Sequence, residues 1–248
     1  MTNEQAIIEG PPLGDCSCCP YQTDILSEGK CKPGDVCIQV ESGRQIDRFL
    51  RFNPALAENY LGDIFWERRA IAVRYSPQSK LLNLIDDQDE VVRRAVAYRI
   101  PVDELPALAK DPDREVRITV ADRLPINQLE MMADDEDYLV RVYVARRMAP
   151  GRLFRMMGDE DNQVRKEVAS RVAPASLAMM LYDTDAVVRR IVAERIDPEA
   201  VKALLNDEDW TVRMTAIMRA PIGVLKNLQN DPDPDVQQVV QDRLAAEI

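Results

Sequence analysis

The sequence predicts an all-α solenoid of short repeats, fronted by a small cysteine-rich module. Three observations carry that prediction. From Asp63 onward the chain repeats every 24 residues, with units opening at Asp63, Asp87, Asp111, Asp135, Asp159, Asp183, Asp207 and Asp231. Self-similarity at such a period marks stacked supersecondary units. Inside each unit, apolar residues recur at helical spacing and are followed by proline. All 5 cysteines lie at or before residue 37.

Residues 1–44 are the first expected module. The opening MTNEQAIIEG has neither the basic segment nor the apolar core of a secretion signal. No later stretch reaches the roughly 18 apolar residues of a membrane helix. A cytoplasmic protein is expected, and in a reducing cytosol clustered thiols serve metals or redox chemistry rather than disulfides. In DCSCCP, Cys16 and Cys19 form a C-x-x-C pair that one backbone turn can aim at one centre, and Pro20 follows as in ferredoxin-type runs. Adjacent Cys18 and Cys19 point apart, which leaves Cys18 as the alternate ligand. Cys31 and Cys37, the latter after the turn-forming KPGD, complete a set of four. Cys16, Cys19, Cys31 and Cys37 are therefore the candidate metal ligands. Four sulfurs suit an iron–sulfur cluster or a Cys₄ zinc site; one C-x-x-C knuckle, where structural zinc commonly uses two, favours iron–sulfur.

Residues 45–62 read as a degenerate capping repeat. Apolar spacing persists in RQIDRFLRFNPALAENYLG, Asn53–Pro54 is a helix-start signal, and Arg51 and Pro54 fall in the register of the later units. Residues 63–248 form the repeat region, with seven full units and a truncated eighth that stops at its first helix. In the second unit Val92, Val96 and Ile100 stand at i, i+4 and i+8, and Ala97 widens that stripe. Asp at the third position (Asp89, Asp113, Asp137, Asp161, Asp185, Asp209) is placed to cap the helix N-terminus. Pro77, Pro101, Pro125, Pro150, Pro174, Pro198 and Pro221 end each helix. A second apolar pair follows at i, i+3: Leu105/Leu108, Leu129/Met132, Leu153/Met156, Leu177/Met180. That spacing suits a 3₁₀ or very short α segment, and the scarcity of β-branched residues argues against a strand. Neither element can bury its stripe alone, so neighbouring units must supply the core.

Two arginine columns run through the repeats. Arg99, Arg123, Arg147, Arg171, Arg195, Arg219 and Arg243 fall inside the apolar arc, and the expectation is a buried ladder pairing them with the position-one aspartates. Arg69, Arg93, Arg117, Arg141, Arg165, Arg189 and Arg213 stand four residues after position three, and an i, i+4 pair is expected wherever that position is Asp. Position four carries Trp66, Tyr138 and Trp210, candidate contact residues for a partner.

Composition removes whole classes of chemistry. With His 0 there is no Ser-His-Asp or Cys-His nucleophile pair and no HExxH zinc helix. The 9 glycines form no GxGxxG or GxxxxGK[ST] loop. A net charge of −11 disfavours nucleic acid as a ligand.

The combination of CxCCP…C…C with 24-residue DxDxxVRxxVAxR units resembles the leucine-rich repeat variant proteins over essentially the whole chain. The resemblance implies a [4Fe-4S] cluster on the N-terminal cysteines and a right-handed superhelix alternating α and 3₁₀ helices without strands. It implies no agreed activity. The function expected is a protein-binding or redox-responsive module, with electron transfer to a partner enzyme as the alternative and nucleic-acid binding behind both. No catalytic residue, membrane contact or small-molecule substrate is expected.

Overall fold

The computed structural model describes residues 11–246. The first ten residues of the 1–44 module, and 247–248 of the last repeat, lie outside the described residues. The chain divides into two compact units, Met1–Leu124 and Pro125–Ile248.

In the first unit α1 (Gly43–Phe52), η1 (Pro54–Tyr60), α2 (Trp66–Tyr75), η2 (Gln78–Leu84), α3 (Glu90–Ala97), η3 (Val102–Leu108) and α4 (Arg114–Arg123) alternate, where η denotes a 3₁₀ helix. The second unit continues with η4 (Leu129–Met132), α5 (Tyr138–Arg147), η5 (Pro150–Met156), α6 (Asn162–Arg171), η6 (Pro174–Met180), α7 (Ala186–Arg195), η7 (Ala200–Leu204), α8 (Trp210–Arg219), η8 (Ile222–Leu228) and α9 (Pro234–Ala245). Among the described residues there is no strand, only an isolated bridge between Lys32 and Val36. The second element of each repeat is thus 3₁₀, as its i, i+3 spacing predicts.

Local chemistry explains each element. The side chains of Asp89, Asp113, Asp137, Asp161, Asp185, Asp209 and Asp233 accept hydrogen bonds from backbone N–H groups of the first turn. The α2 helix lacks that cap, because Phe65 occupies the position; Asp63 instead accepts from Phe65 N at 2.9 Å. Pro54, Pro150 and Pro174 open 3₁₀ helices, where their missing N–H has no partner to lose. Asn53–Pro54 starts a 3₁₀ helix: Asn53 ends α1 and stands at the N-cap position of η1. Helices of 8 to 12 residues are marginal alone, and burial against neighbours stabilises them. Val92, Val96, Ala97, Ile100 and Leu105 are fully buried in the first unit, as are Leu153, Val164, Val168 and Leu177 in the second.

The aspartate ladder exists, but it draws on the other arginine column. Arg69 reaches Asp87, Arg93 reaches Asp111, Arg141 reaches Asp159, Arg165 reaches Asp183, Arg189 reaches Asp207 and Arg213 reaches Asp231, all at 2.7–2.8 Å. Each pair is two-pronged. Arg93 donates from Nε and Nη2 to the Asp111 carboxylate, while its Nη1 donates to the backbone carbonyl of Asp87. Each carboxylate also accepts from the backbone N two residues on, as Asp113 N donates to Asp111. The position-three aspartates are occupied as caps, so the expected i, i+4 pairs give way to inter-repeat ones. The column containing Arg99 pairs with backbone instead. Arg99 donates to Val73 O and Ser76 O at 3.0 Å and to Arg74 O. Arg123, Arg171, Arg195, Arg219 and Arg243 likewise reach carbonyls at the end of the preceding α-helix. Those carbonyls have no intrahelical donor and sit at the negative end of the helix dipole, so a guanidinium satisfies both needs. Burial lowers the pKa of Arg123. No described helix is long and apolar enough to cross a membrane.

Candidate metal centre

Two turns bring the four candidate cysteines together. The first spans the C-x-x-C, where Cys19 N donates to Cys16 O at 3.3 Å. The second is a tight reversal at Lys32–Val36, with Lys32 N to Val36 O at 2.8 Å and Val36 N to Lys32 O at 2.7 Å. Gly34 supplies the φ of +78° that this reversal requires. Cys31 and Cys37 flank the bridge and are therefore neighbours.

Cys31 and Cys37 are buried, Cys16 and Cys19 partly buried, and Cys18 exposed. The thiol of Cys18 turns to Asp15, 3.8 Å from Oδ2 and 4.0 Å from the backbone oxygen. The thiol of Cys31 is pushed up to about 11, first by burial and then by Cys37, Cys19 and Cys16. Cys16 is raised by burial and then by Cys37, Cys19 and Asp15. The four predicted residues thus lie within electrostatic reach of one another, and Cys18 acts on neither. Burial and the neighbouring acidic groups all oppose the thiolate form of Cys16 and Cys31.

The donor set and its space fit an iron–sulfur group. Gly14 lies against Cys37, where an added Cβ would come within 2.7 Å of Sγ, so the backbone keeps this flank of the site open. Among the described residues no three His, Cys, Asp or Glu side chains are gathered as ligands of a single ion.

Residues remote in sequence hold these loops, and the cysteine pattern did not point to them. Cys37 N donates to Gln45 O at 3.3 Å, and Gln45 Nε2 donates to Pro12 O at 2.9 Å. Asn53 Nδ2 donates to Lys30 O at 3.0 Å, Arg48 pairs with Asp35, and Tyr60 shares an O–H···O bond of 2.8 Å with Tyr21. Burial and the Tyr21 bond raise the pKa of Tyr60. Cys31, Val36 and Ile38 share one core with Ile46, Phe49, Leu50, Ala57, Ile71 and Ala72. The cysteine loops are therefore packed on α1, η1 and α2. Helical periodicity at Ile46, Phe49 and Leu50 was the sequence signal for that surface.

Comparison with known proteins follows the same division. Residues 9–59 match a family described as the LRV protein FeS4 cluster, a span that takes in the cysteine loops, α1 and η1. Residues 91–113 match the leucine rich repeat variant family. A solved leucine-rich repeat variant with a repetitive structural motif is 58% identical and superposes with a TM-score of 0.90, covering 94% of this chain and 99% of that one. An uncharacterized 27.7 kDa protein in the nifB 3′ region of Rhodobacter capsulatus is 36% identical over 87 residues, 35% of this chain and 35% of its own length.

Proposed function

The chain belongs to the leucine-rich repeat variant proteins and carries their iron–sulfur module, and from that premise we propose a redox-responsive binding module. Its helical repeats grip a protein partner, and a [4Fe-4S] cluster held by Cys16, Cys19, Cys31 and Cys37 governs the grip. The observation that carries this reading is the core shared by the cysteine loops and the first helices. When bound, the cluster supplies one-electron redox change at a fixed place and positive charge for the four thiolates.

The chain's own residues pass a change in the loops onward. Asn53 and Gln45 hold the loop backbone from α1 and its C-cap, and Tyr60 holds it from η1. A shift at Cys19 or Cys31 is therefore felt by α1, and Ile71 and Ala72 of α2 lie in the same core. Coupling of this kind needs a packed element that both sites bias. The clustered thiols fit a cytoplasmic setting. On the binding side, the position-four rings Trp66, Tyr138 and Trp210 remain 39–41% exposed, which supports a protein partner.

The test is anaerobic partner capture from native cells by three forms of the full chain: cluster oxidised, cluster reduced and cluster removed. Capture should differ between the oxidised and reduced forms. Equal capture by all three overturns the redox-responsive reading.

A further inference from the structure

A cleft of about 220 Å³ opens between α2 and α3, lined by Ala70, Arg74, Val91, Arg94, Ala95, Tyr98 and Arg99. Its floor is aliphatic and its rim carries three guanidinium groups and no carboxylate. Arg99 is committed to the carbonyls that end α2. Arg74 makes one 3.3 Å contact with Asp47, a carboxylate already held by Arg51 at 2.6 Å and by the Tyr75 hydroxyl at 2.9 Å. The half-buried Arg94 side chain makes no hydrogen bond or ion pair among the described residues. In a protein of net charge −11, this is a local concentration of positive charge answered, among the described residues, only by the shared Asp47 carboxylate.

One later pair of helices shows how an acid can answer a base at these positions. Arg146 on α5 stands at the repeat position of Arg74, and Glu167 on α6 at that of Ala95. There the two side chains meet across the two helices, Arg146 Nε to Glu167 Oε1 at 2.8 Å. Lys166, at the position of Arg94, has its own carboxylate 3.6 Å away on Asp185. Between α2 and α3 that position is Ala95, and the bases Arg74 and Arg94 stand without such an acid beside them.

We propose that this cleft receives the carboxylate side chain of an acidic segment on a partner protein, doing from outside what Glu167 does within the second unit. The assignment rests on the protein-binding reading above and names the chemistry of the contact. The Arg74 and Arg94 guanidinium groups bind the carboxylate by charge-assisted hydrogen bonds. The aliphatic floor takes the methylene stem, and the Tyr98 ring, 59% exposed, lies over the entrance. A nucleic-acid strand needs a basic track several phosphates long, and an acidic protein repels it beyond this one cleft.

The test uses the full cluster-loaded chain and a fluorescein-labelled peptide of alternating glutamate and leucine, read by fluorescence anisotropy. Binding should weaken about tenfold or more in Arg94→Gln, which loses a charge-assisted bond. It should weaken as much in Ala95→Glu, which copies the α5–α6 arrangement and fills the cleft from within. Ala95→Glu reproduces a pairing the fold already contains, so it keeps the test decisive if Arg94→Gln folds poorly. Binding should also fall with added salt. Unchanged peptide binding in Ala95→Glu overturns the proposal. So does preferential competition by inorganic phosphate or a twelve-residue oligothymidylate, which would assign the cleft to phosphate. Unchanged peptide binding in Ala95→Glu while native partner capture persists counts against the cleft alone, whereas the absence of any partner capture by the full chain counts against the protein-binding reading, so the two failures are distinguishable.

Discussion

Replacing Arg93 by methionine removes one rung of the inter-repeat ladder and leaves the aliphatic stem. Arg93 and Asp111 are 11% and 3% exposed at their side chains, so the pair is largely shielded from water. The variant loses two hydrogen bonds to the Asp111 carboxylate and one to the Asp87 carbonyl. Asp111 keeps a single backbone donor, Asp113 N at 2.9 Å. Breaking one side of a buried pair costs about 3–5 kcal/mol, most of it the burden of the stranded charge. For a chain of this size that corresponds to a melting temperature lower by about 6–20 °C. The double variant Arg93→Met, Asp111→Leu strands no charge, and its loss should be clearly smaller than the sum of the two singles. Urea unfolding by circular dichroism measures the stabilities, and native-state hydrogen exchange shows whether α3 and α4 open first. A single-variant loss below about 1 kcal/mol, the range of an exposed pair, would refute the claim that the ladder is a buried pairing whose breakage strands a charge. Strict additivity in the double variant would refute it equally.

Three other expectations follow from the same geometry. The Asp231 carboxyl is held below the usual carboxylate range, first by hydrogen bonds from Arg213 and against the opposing effect of burial, so it contributes stability above the unfolded value of about 3.9 that is lost as pH falls through its folded value. Arg213→Met should therefore be less stable than the parent at pH 7, with a gap that narrows in acid titrations; a gap that widens toward low pH would reverse the sign of the argument. Gly14→Ala should lower iron and sulfide content per chain because the added carbon meets Cys37 Sγ, whereas Gly62→Ala, which meets nothing within 4 Å, should load normally; equal loading would show that the flank of the site is not tightly fitted. Trp210→Ala, at a ring 41% exposed, should cost about 1–2 kcal/mol while weakening partner capture, against about 2–5 kcal/mol for the fully buried Leu153→Ala; equal losses would place the tryptophan in the core.

The repeat elements were legible because each is specified locally. Capping Asp, apolar stripe and stopping proline all lie within one 24-residue unit, and the structure uses each in the role its spacing predicts. The arginine columns were misassigned because their partners are not local. On a single helix, Arg93 has Asp89 four residues before it, but that carboxylate accepts the Val91 N–H as a cap. Only stacking brings Asp111, 18 residues on, within 2.7 Å. Likewise, the helical arc puts Arg99 beside apolar residues without showing that the carbonyl end of α2 lies there. The cysteines were legible by count and spacing, whereas Gln45, Asn53 and Tyr60 reach them only through tertiary packing.

Gln45 joins the two halves of this account. Counting back 18 residues from Asp63 places it at the repeat position that Arg69 and Arg93 occupy in the units that follow. In the repeats that position grips the next unit. Here an amide stands in for the guanidinium, is 3% exposed, and turns the other way, its Nε2 donating to Pro12 O, while the Gln45 backbone carbonyl accepts from Cys37 N. Asp63, released from that partner, is held instead by Arg68 of its own unit at 2.7 Å. The substitution leaves Gln45 Oε1 and Arg68 Nε buried without partners among the described residues, a local deficit that the ladder further along avoids. At the opposite end Gln237 occupies the same repeat position and keeps only the bond to its own unit, Nε2 to Asp231 O at 2.6 Å. Glutamine thus stands at the ladder position at both Gln45 and Gln237. At the first, the contact that elsewhere sets inter-repeat register is redirected to the backbone around the cysteines, which makes the position of α1 sensitive to how those loops are held.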